Sequence, residues 1–285
     1  MKIIRHKAEL RAQTRNWRAA GETIGVVPTM GALHQGHLGL VSAACARADR
    51  VIVTLFVNPR QFNNPEDLEK YPQTEGADVE KLAPFEIDVL YIPEPGQVYP
   101  QGFATTVSVS GVSEGLCGAD RPGHFDGVAT VVTKLLLQTD ADFAFFGEKD
   151  FQQLQVVRRL VADLDINTQI IGCPTIREAS GLALSSRNVR LGQAAQKIAP
   201  LISATLSDAA KALAAGQPVA AVLNHARQSL RDGGISSIDY LEFRRESDFA
   251  PIADSATSGR LLVAVWLDGV RLIDNIRVDI NTEAT

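Results

Sequence analysis

The sequence is poor in cysteine, and its three cysteines are widely separated. Cys45, Cys117 and Cys173 form no CxxC pair, so the sequence predicts neither a disulfide framework nor a zinc cluster. We expect three buried thiols in a reducing compartment. No apolar run approaches the roughly 18 residues that span a bilayer, and the charged segment 2–7 lacks the features of a secretory signal. These absences predict a cytoplasmic protein without a membrane partner.

Clusters of basic residues are also missing. The 28 Lys and Arg residues are outnumbered by 33 Asp and Glu residues, which gives a net charge of −5. Domains that bind nucleic acid usually carry a basic patch, so we expect no nucleic-acid partner. The chain also lacks the GxGxxG pattern of dinucleotide-binding enzymes and the GxxxxGK[ST] pattern of Walker loops. A bound nucleotide would therefore be held by a different motif.

The chain does contain an alternation of apolar, strand-like runs and amphipathic, helix-like segments. With 285 residues, 45% of them hydrophobic, it is long enough for one large and one small domain. Strands are predicted at 24–27, 51–57, 89–92, 143–146 and 169–172. Helices are predicted at 8–20, 37–48, 77–82, 128–137 and 151–164. This alternation predicts a Rossmann-like α/β domain with a doubly wound parallel sheet over residues 1–175.

The pattern changes beyond residue 175. Two Ala-rich helices are predicted at 193–215 and 219–232, and three strands follow around Tyr240, Val263 and Ile276. We therefore expect a smaller C-terminal α+β domain over residues 176–285.

Two histidines mark the end of the first predicted strand. The segment 28–37 reads PTMGALHQGH, and its glycines allow a ligand to approach the backbone closely. His34 and His37 lie three residues apart at a predicted helix start, where free N–H groups and the helix dipole favour phosphate. The alternatives are an ordinary loop with two capping histidines and a zinc-binding pair. Zinc is disfavoured because no third ligand stands nearby in a recognisable motif.

Three further segments carry polar residues suited to a nucleotide or a small acid. The segment 147–150, GEKD, directly follows a predicted strand, and its lysine is suited to phosphate. Gln61 follows another strand, and its uncharged amide is suited to recognise a substrate. The segment 184–188, LSSRN, combines two hydroxyls with a guanidinium that can bind polyphosphate bidentately. Alone, these segments are also compatible with solvated helix starts or surface loops.

Together these motifs resemble the pantothenate synthetase family, the ligases that join pantoate to beta-alanine, within the HxGH nucleotidyltransferase superfamily. The matching motifs are PTMGALHQGH (28–37), VNPRQF (57–62), RPGHF (121–125), GEKDFQQL (147–154), LSSRN (184–188) and RLIDN (271–275). The resemblance implies an ATP-dependent ligase that forms a pantoyl-adenylate and releases pantothenate, AMP and pyrophosphate, with magnesium entering as Mg-ATP. It also implies a homodimer and a first domain that binds ATP and pantoate. Because an acyl-adenylate is prone to hydrolysis, we expect the segment 184–188 and the smaller domain to form a lid.

The resemblance assigns roles to individual residues, and none of them ligates a resident metal. His34, His37, Lys149 and Arg187 are expected to act in catalysis, with His37 as the proton donor. Gln61 and Gln153 are expected to bind pantoate, and Gln61 also beta-alanine. ATP contacts are expected from Met30, His34, His37, Gly147, Glu148, Lys149, Asp150, Ile176, Leu184, Ser185, Ser186 and Arg187.

Two positions depart from the family pattern. Ser180 stands where an aspartate is usual, and we expect a loop variation there. Gly76 and Ala77 stand where acidic neighbours of Asp78 are frequent. The second departure leaves open any role of those acids near magnesium or at the pocket rim.

Three other functions fit parts of the same pattern. One is an HxGH nucleotidyltransferase acting on a phosphate-bearing precursor, but the uncharged Gln61 and Gln153 favour a small hydroxy acid. Another is a tRNA-charging core, which the acidic balance and the lack of an anticodon-binding region disfavour. The third is a non-catalytic nucleotide sensor. The presence of all four expected catalytic side chains disfavours it: His34, His37, Lys149 and Arg187.

Overall fold

The computed structural model describes residues 1–63, 65–69, 71–254 and 256–280. The chain divides into two compact units: one comprises 1–148 with 152–174, and the other comprises 149–151 with the chain from Thr175 onward. The expected roles of 1–175 in ATP and pantoate binding and of 176–285 as a lid stay predictions. The last residues of that second range, 281–285, lie outside the described residues.

The first unit is built on a parallel sheet. Its strands are β1 Lys2–Ile4, β2 Ile24–Thr29, β3 Arg50–Leu55, β4 Val89–Tyr91, β5 Phe143–Gly147 and β6 Gln169–Cys173. The helices up to residue 163 are α1 Lys7–Ala19, α2 Gln35–Cys45, α3 Pro65–Glu69, α4 Glu75–Leu82, α5 Pro95–Val98, α6 Leu116–Asp120, α7 His124–Thr139 and α8 Phe151–Asp163. In the described residues the sheet has six strands in the order β1-β4-β3-β2-β5-β6, all paired in parallel. This arrangement confirms the predicted Rossmann-like, doubly wound fold.

The central strands are apolar along their whole length because helices cover both faces of a parallel sheet. Every residue of β2 except Pro28 is buried, and so is every residue of β3 except Arg50. The edge strand β1 was not predicted. It has only three residues, of which Ile4 alone is buried, so its sequence carries no strand-length apolar run.

The second unit is α+β, as predicted. Its helices are α9 Gln193–Ile198, α10 Leu201–Ala214 and α11 Val219–Asp232, and its strands are β7 Ser237–Arg244, β8 Gly259–Leu267 and β9 Val270–Val278. The three strands form an antiparallel sheet in the order β7-β8-β9. Buried side chains of α10 and α11, such as Leu206, Leu213 and Leu230, share one core with Leu241 and Val263 of the sheet.

One helix prediction in this unit was wrong. The expected single helix at 193–215 is divided between α9 and α10, with Pro200 at the junction. Proline has no backbone N–H and its ring crowds the preceding turn, so a helix does not run through it undisturbed.

Among the described residues, no helix is long and apolar enough to cross a bilayer.

The cysteines differ from the prediction at one position. Cys117 and Cys173 are buried as expected, but Cys45 is exposed, so the prediction of a buried thiol was wrong there. The predicted helix continued to Ala48, whereas α2 ends at Cys45, and its buried face stops at Ala44.

A thiol-exchange reagent should therefore titrate one thiol in the native protein and three after denaturation. Partial desolvation and the charge of Asp88 raise the pKa of the Cys45 thiol. Its reaction should accelerate from neutral to alkaline pH, because the thiolate is the reactive species. Colorimetric titration checks this, with Cys45→Ser abolishing the native signal. Native reaction at the two buried thiols would contradict the structure.

Candidate active site

The carboxyl ends of β2 and β5 lie side by side where the chain changes direction across the sheet. From β2 the chain passes through β3 to β4, whereas β5 and β6 continue on the other side of β2. Gly25 and Val26 of β2 are paired with Phe143 and Ala144 of β5. Open α/β sheets bind ligands in the crevice outside such a switch point. The segments that follow β2 and β5 therefore border the expected crevice.

The segment after β2, residues 30–37, is here called the histidine loop. Thr29, the last residue of β2, fixes the start of this loop. Its Oγ1 donates to the carbonyl of Thr54 at 2.7 Å and accepts the N–H of Gly31 at 3.3 Å. Gly31 and Ala32 both adopt left-handed backbone angles, with φ of 86° and 51°. Glycine adopts such angles without steric cost, whereas alanine does not. The resulting sharp turn ends in the first residues of α2.

The two imidazoles of the histidine loop share one hydrogen-bonding pattern. His34 is the N-cap of α2, and its Nδ1 accepts the N–H of Gly36 at 3.1 Å. Nδ1 of His37 accepts the N–H of His34 at 3.4 Å, and the ring centroids are 4.1 Å apart. A neutral imidazole with an accepting Nδ1 carries its hydrogen on Nε2. We therefore infer that Nε2 of each ring is the donor. A donor is what a phosphate oxygen needs, because that oxygen only accepts.

A buried carboxylate holds the turn of the histidine loop. Asp78, in the first turn of α4, is 1% exposed. Its Oδ2 accepts the N–H of Ala32 at 2.9 Å, and its Oδ1 accepts the N–H of Leu33 at 2.8 Å. Thr74 donates to Oδ2 at 3.0 Å, and Lys81 Nζ donates to the Leu33 carbonyl at 2.7 Å. Asp78 and Lys81 of α4 thus hold the backbone of the histidine loop, and Thr74, the N-cap of α4, holds Asp78.

This role of Asp78 was not predicted from the sequence. The departure from the family pattern concerned its neighbours Gly76 and Ala77, which are exposed. A usable signal was present, since Asp78 lies four residues before Leu82 and these two are the buried residues of α4. A carboxylate on the buried face of a helix must be paired or hydrogen-bonded.

Gln61 is oriented by its neighbour Asn58, which is 1% exposed. Asn58 Nδ2 donates to Gln61 Oε1 at 3.0 Å, and the Tyr99 hydroxyl donates to Asn58 Oδ1 at 2.8 Å. Burial raises the pKa of Tyr99 to about 12, so its hydroxyl keeps the proton it donates. Because Gln61 Oε1 accepts, its amide nitrogen faces Met30, with Nε2 3.1 Å from Sδ. Gln61 thus offers an N–H donor beside Met30, suited to an oxygen of a small acid.

The RPGHF motif supports the main chain of Gln61. His124 Nδ1 donates to the Gln61 carbonyl at 2.8 Å, and Arg121 donates to the same oxygen at 3.2 Å. Arg121 also donates to His124 Nε2 at 3.2 Å, since a guanidinium has no acceptor. No role was predicted for this motif from the sequence, and the structure shows that it braces the segment that carries Gln61.

The two adjacent glutamines of α8 have different surroundings. Gln152 is 5% exposed and accepts the N–H of Cys117 at 3.0 Å. Its Nε2 lies within 3.3 Å of the carbonyls of residues 112, 114 and 115, so it closes that loop. Gln153 is half-buried. Its expected contact with pantoate stays a prediction.

At the end of β5 the sequence GEKD passes from the first unit into the second. Gly147 and Glu148 are half-buried in the first unit. Lys149 and Asp150 belong to the second unit, and the Lys149 side chain is 17% exposed, with Nζ 3.9 Å from the Asp150 carboxylate. The lysine is thus partly buried beside one acidic neighbour.

The remaining predicted ATP contacts lie in one folded segment of the second unit. The Leu184 N–H donates to the Ile176 carbonyl at 3.0 Å, which pairs the two backbones. Ser185 Oγ accepts the N–H of Arg187 at 3.2 Å, so Ser186 lies within a tight turn. All three turn residues are half-buried.

The departure at Ser180 lies in the same unit. This residue is exposed, and its hydroxyl accepts the N–H of Leu182 at 3.4 Å.

The structure therefore assembles the predicted site residues into local groups. In the first unit, the histidine loop carries Met30, His34 and His37, and Gln61 lies against Met30. In the second, Ile176 is paired with Leu184. The roles of these residues toward ATP and pantoate stay predictions.

Sequence comparisons place the chain among known ligases. A family model described as pantoate-beta-alanine ligase matches residues 2–277. A pantothenate synthetase of Chelativorans sp. (strain BNC1) is 63% identical over 276 residues, covering 97% of both chains. A pantothenate synthetase of Ruegeria pomeroyi is 57% identical over 276 residues with the same coverage.

Solved structures agree with the sequence matches. Pantothenate synthetase from Thermus thermophilus is similar with a TM-score of 0.92 and 41% identity, covering 98% of this chain and 99% of that one. A pantoate-beta-alanine ligase from Francisella tularensis, crystallised with beta-gamma ATP and beta-alanine, gives a TM-score of 0.82 and 37% identity over 97% of both chains. These matches confirm the resemblance inferred from the motifs. The chain belongs to the pantoate-beta-alanine ligase family.

Proposed function

We propose that this chain uses ATP to join pantoate to beta-alanine, releasing pantothenate, AMP and pyrophosphate. Membership of the family supports the reaction, and the related structure with an ATP ligand and beta-alanine supports the substrates. The observation that carries the proposal is that Nδ1 of His34 and Nδ1 of His37 each accept a backbone N–H at the switch point of the sheet, from which we infer that each Nε2 is a donor. Such a pair of donors is suited to the phosphates of a nucleotide.

The first step forms the pantoyl-adenylate. A carboxylate oxygen of pantoate attacks the α-phosphorus of Mg-ATP, the new O–P bond forms, and the bond to pyrophosphate breaks. Magnesium enters as part of the nucleotide substrate. No protein nucleophile takes part, so catalysis depends on in-line positioning and on donors where negative charge accumulates. We assign His34, His37, Lys149 and Arg187 to that stabilisation.

The second step transfers the acyl group. The amine nitrogen of beta-alanine attacks the carbonyl carbon of the adenylate, the C–N bond forms, and the C–O bond to AMP breaks. AMP leaves with the electron pair of the broken bond, and the attacking amine nitrogen releases one proton to solvent. Since water competes for the same carbonyl, exclusion of water from the intermediate favours the ligation.

Pyrophosphate and AMP release from Mg-ATP tests the proposed function. With D-pantoate alone we expect about one pyrophosphate per active site, because the adenylate stays bound. Adding beta-alanine should give sustained AMP release. If the rate of pyrophosphate release does not depend on pantoate, the protein is a different HxGH nucleotidyltransferase. If ATP binds but no pyrophosphate is released, the protein is a nucleotide sensor.

Replacing Gln61 with glutamate should raise the KM for pantoate about 10- to 100-fold, since a hydrogen bond to a charged group contributes about 1.5–3 kcal/mol. The variant replaces the N–H donor beside Met30 with a carboxylate that repels an anionic substrate. Steady-state kinetics with pantoate varied measures the change. Gln101→Glu introduces the same charge at an exposed position and serves as the control. Equal KM values in both variants would remove Gln61 from the pantoate site.

We further propose that the chain is a cytoplasmic homodimer, as the resemblance implies. Sedimentation equilibrium of the purified protein tests the assembly. A single species at the mass of one chain, 30.7 kDa, would contradict it.

A further inference from the structure

The RLIDN motif near the C-terminus has no role in the proposed reaction, yet it carries two buried polar residues. Asp274 and Asn275 lie in β9, and each is 4% exposed. Burial of polar side chains is unfavourable unless they are hydrogen-bonded, so their partners indicate what the motif holds in place.

Asn275 is hydrogen-bonded on both sides of its amide. Its Nδ2 donates to the main-chain carbonyl of Lys149 at 2.8 Å, and its Oδ1 accepts from Arg260 at 2.5 Å. A guanidinium only donates, so Arg260 fixes which end of the amide is the oxygen. The amide nitrogen of Asn275 is consequently directed at the Lys149 carbonyl.

Arg260 is itself fixed on three sides. It is 6% exposed, its Nε donates to Glu246 at 2.7 Å, and its guanidinium lies 3.8 Å from the ring centroid of Phe151. Phe151 also contacts the ring of Phe249 edge-on, with centroids 6.0 Å apart. The residues on either side of Asp150 are thus held by β8 and β9.

Asp274, beside Asn275, holds a second segment that carries a predicted ATP contact. Its carboxylate accepts two hydrogen bonds from Arg177, at 2.6 and 2.9 Å. Arg177 directly follows Ile176, whose carbonyl is paired with Leu184. The motif therefore braces both parts of the second unit that are expected to bind ATP.

We propose that Asn275 is a positioning residue that sets the backbone of Lys149, and through it the ammonium group that meets the phosphates of ATP. The proposal rests on the function proposed above. The ammonium of Lys149 is a point charge, and its side chain is partly buried beside Asp150. A shift of the Lys149 main chain would therefore displace the charge. Misplacement by about 1 Å can cost about 10²-fold in rate.

Asn275→Asp removes the hydrogen bond to Lys149 and adds a negative charge beside Arg260. Aspartate keeps an oxygen for Arg260 but sets a second oxygen against the Lys149 carbonyl. We expect the single-turnover rate of adenylate formation to fall about 10- to 100-fold. Asn275→Ala removes both hydrogen bonds without adding charge, and it should give a decrease of similar size. Asn224→Asp, an exposed position beside Arg227 in the same unit, is the matched control and should retain the full rate.

A double-mutant cycle with Lys149→Met separates positioning from general stability. If Asn275 acts through the lysine, Asn275→Asp should change the adenylation rate and the ATP dissociation constant less than about 2-fold in the Lys149→Met background. Equal losses in both backgrounds, or no loss in the unmodified background, would overturn the proposal. Failure of the proposed function is distinguishable, because the unmodified protein would then form no adenylate from pantoate. In that case the ATP dissociation constants of the same four proteins still test whether Asn275 and Lys149 are coupled.

Discussion

Replacing His37 with asparagine should slow adenylate formation about 10²- to 10³-fold, the typical cost of losing one donor to a developing negative charge. Asparagine can still accept the His34 N–H through Oδ1, as the imidazole Nδ1 does at 3.4 Å. It has no group that reaches the position of Nε2. The cap of α2 is therefore kept while the phosphate donor is lost.

Glutamine at the same position should instead keep most of the rate and lose stability. Its longer side chain can place an amide N–H near the position of Nε2, but its oxygen no longer accepts the His34 N–H. We expect His37→Gln to lose less than about 10-fold in rate and to lose about 0.5–2 kcal/mol of unfolding free energy, the usual cost of a helix cap. Single-turnover pyrophosphate release and urea unfolding measure the two quantities. A slower adenylation rate in His37→Gln than in His37→Asn would contradict the assignment of Nε2 as the donor.

Most of the first unit could be predicted from sequence because its signals are local and strong. The strands around Val26 and Val53 are short apolar runs, as expected for strands that are buried on both faces of a parallel sheet. The alternation of these strands with amphipathic helices then predicts right-handed βαβ units in a parallel sheet. The edge strand β1 escaped prediction because pairing with β4, rather than its own sequence, makes it a strand.

The site could be predicted only in part, for the same physical reason. His34 and His37 were found because their pattern lies within one loop at a strand end. The contacts of Asp78 with Ala32 and Leu33 span about 45 positions of the chain, and those of Asn275 with Lys149 span 126. No local periodicity reports such pairs. The signal that remains is a polar residue within a segment whose apolar pattern predicts burial, and both Asp78 and Asn275 are buried.

Replacing Asp78 with asparagine should distort the histidine loop and lower the unfolding free energy by about 1–3 kcal/mol, because a buried N–H loses its acceptor. The amide group of asparagine brings a second donor against the N–H of Ala32 or Leu33, where the carboxylate now accepts both. We expect adenylation to fall about 10²-fold, since the donors of His34 and His37 are carried by the displaced backbone. Glu80→Gln, an exposed change in the same helix, should alter neither quantity.

Combining Asp78→Asn with His37→Asn distinguishes this positioning role from a contact between Asp78 and the substrate. If Asp78 acts by holding the histidine loop, the second change should add less than about 10-fold to the loss of rate, because the donor that it positions has already been removed. The loss of unfolding free energy should still appear in full, since the unsatisfied N–H does not depend on His37. Stopped-flow pyrophosphate release and urea unfolding of the four proteins in the cycle measure both quantities. Fully multiplicative rate losses would show that Asp78 serves the reaction independently of His37.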